Sequence, residues 1–130
     1  MNPLIINVSE FSPKVIFNPG ENVFEISGDS RPENAGKFYT PILKWMDNYK
    51  TEATAKKPSR KLSFKFDFEY MNSVSTKYVF DMLKHIEALK LEGIEVEVLW
   101  CYNRHDEDML DRGEEFTALL DIPMHFLPKQ

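Results

Sequence analysis

A chain of 130 residues, 42% hydrophobic and with ten phenylalanines, is long enough to bury one core and too apolar to be a disordered polymer. A formal net charge of −5 and a pI near 5.2 argue against nucleic acid or an anionic membrane as partner, since both select clustered Lys and Arg. The single cysteine, Cys101, excludes an internal disulfide and a Cys-x-x-Cys metal site.

The start, "MNPLIINVSEF", has neither a basic n-region nor a long apolar h-region, so it does not read as a signal peptide. No apolar run reaches the roughly 18 residues of a membrane span. The expectation is one cytoplasmic domain covering residues 1–130. "KVIF" (14–17) and "NVFEIS" (22–27) read as two strands of a hairpin, with Asn18, Pro19 and Gly20 as turn chemistry. In the next segment Ser30 and Glu33 have capping-box spacing, and Phe38, Ile42, Trp45, Met46 and Tyr49 follow a helical period. Pro41 leaves two readings: a kink in that helix, or a start there with Thr40 as the N-cap. "TEATAKKPSR" reads as a polar connector.

Residues 60–70, "RKLSFKFDFEY", form the clearest strand. Leu62, Phe64, Phe66, Phe68 and Tyr70 alternate with Ser63, Lys65, Asp67 and Glu69, so one face is buried and the other wet. A second helix carries Val79, Met82, Leu83, Ile86 and Leu89 on one stripe and stops at Gly93. "IEVEVLWCY" (94–102) is another strand. A third helix spans about 106–120, with Met109, Leu110, Phe116 and Leu120 inward. "MHFL" (124–127) reads as an edge strand closed by Pro128. The order β-β-α-β-α-β-α-β implies right-handed crossovers between parallel strands. The half-polar strands place the helices mainly on one face of a small mixed α/β sheet.

Parallel strands send their β-to-α loops to one edge, the usual functional edge of such sheets. Three loops meet there: 28–34, 71–76 and 103–108. At the second, "YMNSVST" places Asn72, Ser73, Ser75 and Thr76 at a helix start, where one cap would suffice, with Arg31, Lys77, Arg104 and His105 as candidate neighbours. Ser73, His105 and Asp106 contain the residue types of a nucleophilic triad, but there is no G-x-S-x-G elbow. His105, Asp106 and Asp108 are adjacent, yet acids opening a helix ordinarily complement its dipole. No Gly-rich phosphate loop is present. These absences predict a chain without tightly bound metal or cofactor. Cys101 reads as a small buried hydrophobe. For the serines, the plain reading is capping by Asn72 or Ser73. The sharper one is phosphorylation of Ser73, or of Ser75, at the positive end of a helix dipole.

Three segments, "SGDSRPENAGKFYTPILKWM" (27–46), "FDFEYMNSVSTKYVFDML" (66–83) and "VEVLWCYNRHDEDM" (96–109), give the chain a resemblance to the SiaC-type regulatory phosphoproteins, formerly a family of unknown function. That family is similar in fold to the STAS domains of anti-sigma-factor antagonists. The resemblance implies a STAS-like, non-catalytic partner-switching protein. It would be phosphorylated by a serine/threonine kinase, dephosphorylated by a PP2C-like phosphatase, and in its bare form would activate a diguanylate cyclase in cyclic-di-GMP signalling and biofilm control. The acceptor follows an Asn at the strand-to-helix turn, which here is Ser73 after Asn72; the familiar member carries Thr there. A STAS antagonist would have Asp before the acceptor and Gly soon after, where this chain has Asn72 and Val74-Ser75-Thr76. Arg31, Glu33, Asn34, Asn72, Ser75, Thr76, Lys77 and Arg104 are the expected partner-binding residues. A small enzyme using Ser73 and His105 is the alternative of a different class.

Overall fold

A computed structural model describes residues 1–130. The elements in chain order are β1 (Leu4–Ile6), β2 (Lys14–Asn18), β3 (Val23–Ser30), α1 (Ala35–Ala55), β4 (Leu62–Met71), α2 (Ser73–Leu91), β5 (Val96–Asn103), α3 (Glu107–Leu119) and β6 (Met124–Lys129). All six strands belong to one sheet, and their spatial order equals their chain order. The strands β1, β2 and β3 form an antiparallel meander. From β3 to β6 every neighbouring pair is parallel, each joined through one helix.

The helices share one face. Val15, Phe17, Phe24, Ile26, Phe64, Phe66, Phe68, Val98 and Trp100 are buried in a single cluster with Tyr39, Ile42 and Met46 of α1 and Val79, Met82, Leu83 and Ile86 of α2. The other face is polar. Glu25 pairs with Lys65 and Lys61 with Glu97, while Lys129 reaches both Asp67 and Glu69. Cys101 is the buried exception on that side, and burial pushes its thiol up, away from thiolate chemistry. At the far end, α3 rests on β5 through a close approach. A Cβ on Gly113 would lie 2.6 Å from the Trp100 ring, and the indole donates to the Met109 carbonyl at 2.9 Å.

The structure departs from the sequence reading in several places, and β3 itself runs on to Ser30. Strand β1 was not expected, because three residues, "LII", are too few to display alternation. Helix α1 is capped by Asn34, whose side chain accepts from Lys37 N, not by Ser30, which ends β3 with a buried hydroxyl. Pro41 lies inside α1, so Thr40 is not its cap, and the helix continues to Ala55 through the first half of the expected connector. The alternation of β4 breaks near its end: Gly28 faces Phe68 and Asp29 faces Tyr70, so Glu69 is an extra residue, a bulge. Tyr70 is therefore turned out and Met71 turned in. Gly28, at φ 115°, supplies the backbone that the irregular register needs on the β3 side. Finally, β6 runs through Pro128 to Lys129, which an edge strand tolerates because one side of its ladder has no partner.

Candidate functional site

The three β-to-α turns meet at the carboxyl edge of the parallel strands. Asn72, the only residue between β4 and α2, caps α2 by accepting from Ser75 N at 2.9 Å. Ser73 is then the first helical residue and its side chain is exposed. This answers why several hydroxyls cluster here, because each does something different. Ser75 is fully buried. Thr76 donates to the Asn72 carbonyl at 3.0 Å and accepts from Arg112 Nη1 at 2.9 Å. Only Ser73 is uncommitted and open to solvent.

Ser75 belongs to a buried relay with Ser30 and Tyr39. The Tyr39 and Ser30 hydroxyls are 2.5 Å apart; Ser30 donates to Ser75 Oγ at 2.8 Å, and Ser75 donates to the Ser30 carbonyl at 3.1 Å. Each hydroxyl has one proton, so the Tyr39 phenol must be the donor that starts the chain. The relay ties the end of β3, the second turn of α1 and the first turn of α2 together. The backbone adds to it, since Asn72 N donates to the Ser30 carbonyl at 3.0 Å. Burial pushes the Tyr39 phenol up to about 12, against a smaller opposite pull from its serine neighbours. Because the folded value lies above the ordinary 10.0, the contribution is full below pH 10 and is lost as pH rises through 12. In an alkaline absorbance titration, Tyr39 is expected to ionise well above the ordinary 10.0, and burial raises Tyr49 as well. Tyr39→Phe should remove one late-ionising phenol and cost about 1–3 kcal/mol, since Ser30 Oγ loses its buried donor. A stability loss well under about 1 kcal/mol for Tyr39→Phe would contradict the relay.

The first loop is the neighbour of the Ser73 turn. Val74 lines one surface depression with Pro32, Glu33, Asn34 and Phe38. Arg31 N donates to the Phe11 carbonyl, and its guanidinium stacks over the Phe11 ring at 5.0 Å. Exposed apolar side chains, Phe11, Tyr70 and Val74, surround this edge. On the other side of Ser73 is a cleft of about 230 Å³ lined by Glu69, Tyr70, Met71, Asn72, Ser73, Asp106, Asp108, Met109 and Arg112. Its lining is mostly polar or charged, and it is smaller than the roughly 300–1,000 Å³ of ordinary ligand pockets.

The expected neighbours are thus brought together only in part. Arg31, Glu33, Asn34 and Lys77 are exposed, and Asn72 and Thr76 half-buried. Ser75 is out of reach of any partner. Arg104 and His105 are exposed on the third loop but do not line the cleft, so Ser73 has no histidine base beside it. Asp106 spends its side chain on capping α3 through Met109 N. The cation that does reach the cleft, Arg112, was not anticipated. The one sequence signal was its i,i+4 spacing from Asp108, which carries meaning only once the rotation of α3 is known.

A family model described as SiaC family regulatory phosphoprotein matches residues 6–129. An uncharacterised protein of Pseudomonas aeruginosa is 25% identical over 123 residues, covering 95% of this chain and 94% of its own length. The crystal structure of apo-SiaC from the same organism superposes with a TM-score of 0.84 at 23% identity, covering 98% of this chain and 99% of that one. The SiaC chain crystallised with the diguanylate cyclase SiaD, of which it is the activator, gives 0.84 at 23% identity over 97% and 99%. Those structures carry the same fold, and the family match spans nearly every residue from β1 to β6: the chain belongs to the SiaC family of regulatory phosphoproteins.

Proposed function

We propose that this chain is a non-catalytic switch protein that binds and activates a diguanylate cyclase when bare and releases it when Ser73 is phosphorylated. The reading rests on one observation above others: of the hydroxyls at the start of α2, Ser73 alone is exposed and unbonded, while Ser75 is sealed inside and Thr76 is committed on both sides. A kinase would transfer the terminal phosphoryl group of a nucleoside triphosphate to Ser73 Oγ, which loses its proton as the diphosphate departs. A phosphatase of the PP2C type would return the hydroxyl by hydrolysis. The phosphate would sit at the positive end of the α2 dipole and leave the core undisturbed.

The partner surface in this proposal is the carboxyl edge, with Arg31, Glu33, Asn34, Lys77 and Arg104 as polar contacts and Phe11, Tyr70 and Val74 as the apolar centre. Asn72 and Thr76 support it from within. Ser75 contributes by fixing the loop. The likeness to a SiaC chain solved with its cyclase supports the class of partner. The test is affinity capture from the native cell with Ser73→Ala and with stoichiometrically phosphorylated protein. A cyclase enriched by Ser73→Ala and lost with the phosphorylated form is expected. Equal capture by both forms contradicts the switch.

A further inference from the structure

Arg112 lies in the second turn of α3, half-buried, on the wall of the cleft that Ser73 also lines. It makes no ion pair, although three carboxylates line that same cleft. Two of the three are engaged elsewhere. Glu69 accepts from Lys129 Nζ and from Asn103 Nδ2, each at 2.9 Å, and the Lys129 bond chiefly holds its carboxyl below the usual range. Asp106 caps α3 through Met109 N at 3.0 Å. Asp108 is exposed and forms no ion pair. Arg112 itself uses one donor of five, on the neutral hydroxyl of Thr76, which already has the Asn72 carbonyl as its own acceptor. The guanidinium thus holds a hydroxyl that lies one helical turn along α2 from the open Ser73, and its remaining donors are free for an anion in the cleft both residues line.

We propose that Arg112 is the clamp for a phosphoryl group on Ser73, exchanging the Thr76 hydroxyl for phosphate oxygens and joining the start of α2 to α3. The inference rests on Ser73 as the acceptor. Around that phosphate stand Glu69 from β4, Asp106 and Asp108 from the start of α3, Arg112 from its second turn, and Lys77 one turn further along α2, outside the cleft lining. The carboxylates push the dianion outward, and Arg112 is the one lining cation that draws it in. It therefore sets whether the phosphate lies along the protein or projects into the face a partner would meet. Planar bidentate geometry makes arginine suited to this, and lysine less so.

The test uses full-length protein with phosphoserine installed at position 73 during synthesis, so the phosphate is present whether or not a kinase ever places it there. Phosphorus NMR titration reads its second ionisation, ordinarily near pH 6. Replacing Arg112 by Gln is expected to raise that pKa by about half a unit or more, with Arg112→Lys between the two. Thr76→Val removes the present partner of Arg112 and should leave the value of the protein with Arg112 intact unchanged. No rise in either Arg112 variant, or a rise in Thr76→Val as large as in Arg112→Gln, overturns the clamp. Mapping the natural phosphosite is a separate measurement, so a failure of Ser73 as acceptor is distinguishable from a failure of Arg112 as clamp.

Discussion

Phosphorylation of Ser73 is expected to weaken binding of the downstream partner more than tenfold, about 1.4 kcal/mol or more, while Ser73→Ala binds constitutively. The sign follows from the surroundings. Ser73 has no bond to lose, so phosphorylation leaves the folded chain intact and adds about −1.5 to −2 charges beside exposed Tyr70 and Val74. An apolar interface centre closing over a dianion must strip its water, and a partner shaped for a hydroxyl has no donors ready to replace that water. Phosphate also adds three acceptor oxygens and bulk where the bare form offers one hydroxyl. Ser73→Glu should imitate the effect incompletely, because a carboxylate has less charge and a planar shape. Calorimetry with bare, phosphorylated, Ser73→Ala and Ser73→Glu protein checks all three; equal affinities for bare and phosphorylated protein would sink the prediction.

Truncating Trp100 to Ala is expected to cost about 3–5 kcal/mol, the largest stability loss of any single substitution considered. Trp100 is fully buried on β5, stacks on Phe66 with centroids 5.9 Å apart, and meets Phe116 of α3 edge-on at 5.6 Å. Gly113 is shaped to this ring, so no neighbouring side chain fills the space left behind. Against the roughly 5–15 kcal/mol that holds an ordinary domain together, the loss is a large fraction. A urea titration should show a much lower midpoint with an unchanged slope. The mechanism predicts a companion result: Gly113→Ala, which by helix propensity alone would stabilise α3 by about 1 kcal/mol, should instead destabilise, because the new methyl group meets an immovable ring. A midpoint for Trp100→Ala within about 1 kcal/mol of the parent would contradict this packing.

How much of this was legible in the sequence depends on the range of the forces involved. The alternation of Leu62 to Phe68 is local, and it revealed the strand, its buried face and the one-sided placement of the helices. The same rule failed at Tyr70, because the bulge at Glu69 is set by pairing with β3 across the sheet, and no residue of β4 announces it. Ser30 and Glu33 matched a capping box, yet Ser30 was claimed by Tyr39 and Ser75, the latter 45 positions away, so a tertiary bond outweighed a local one. The crowding of hydroxyls at 72–76 was visible, but which of them is free depends on burial, and burial is fixed by α1 and β3. Arg112 was invisible for the same reason, since its hydrogen-bond partner lies 36 positions earlier on another helix.

The central claim is that Ser73, and not its neighbours, is the hydroxyl through which this protein is switched. Localisation of the phosphate by tandem mass spectrometry, on protein isolated from its native cell with phosphatases inhibited, tests it most directly. The account predicts a phosphate on Ser73 Oγ. A phosphate found on Ser75, which would require opening the buried relay, or on Thr76, which would displace its bonds to Asn72 and Arg112, would contradict it.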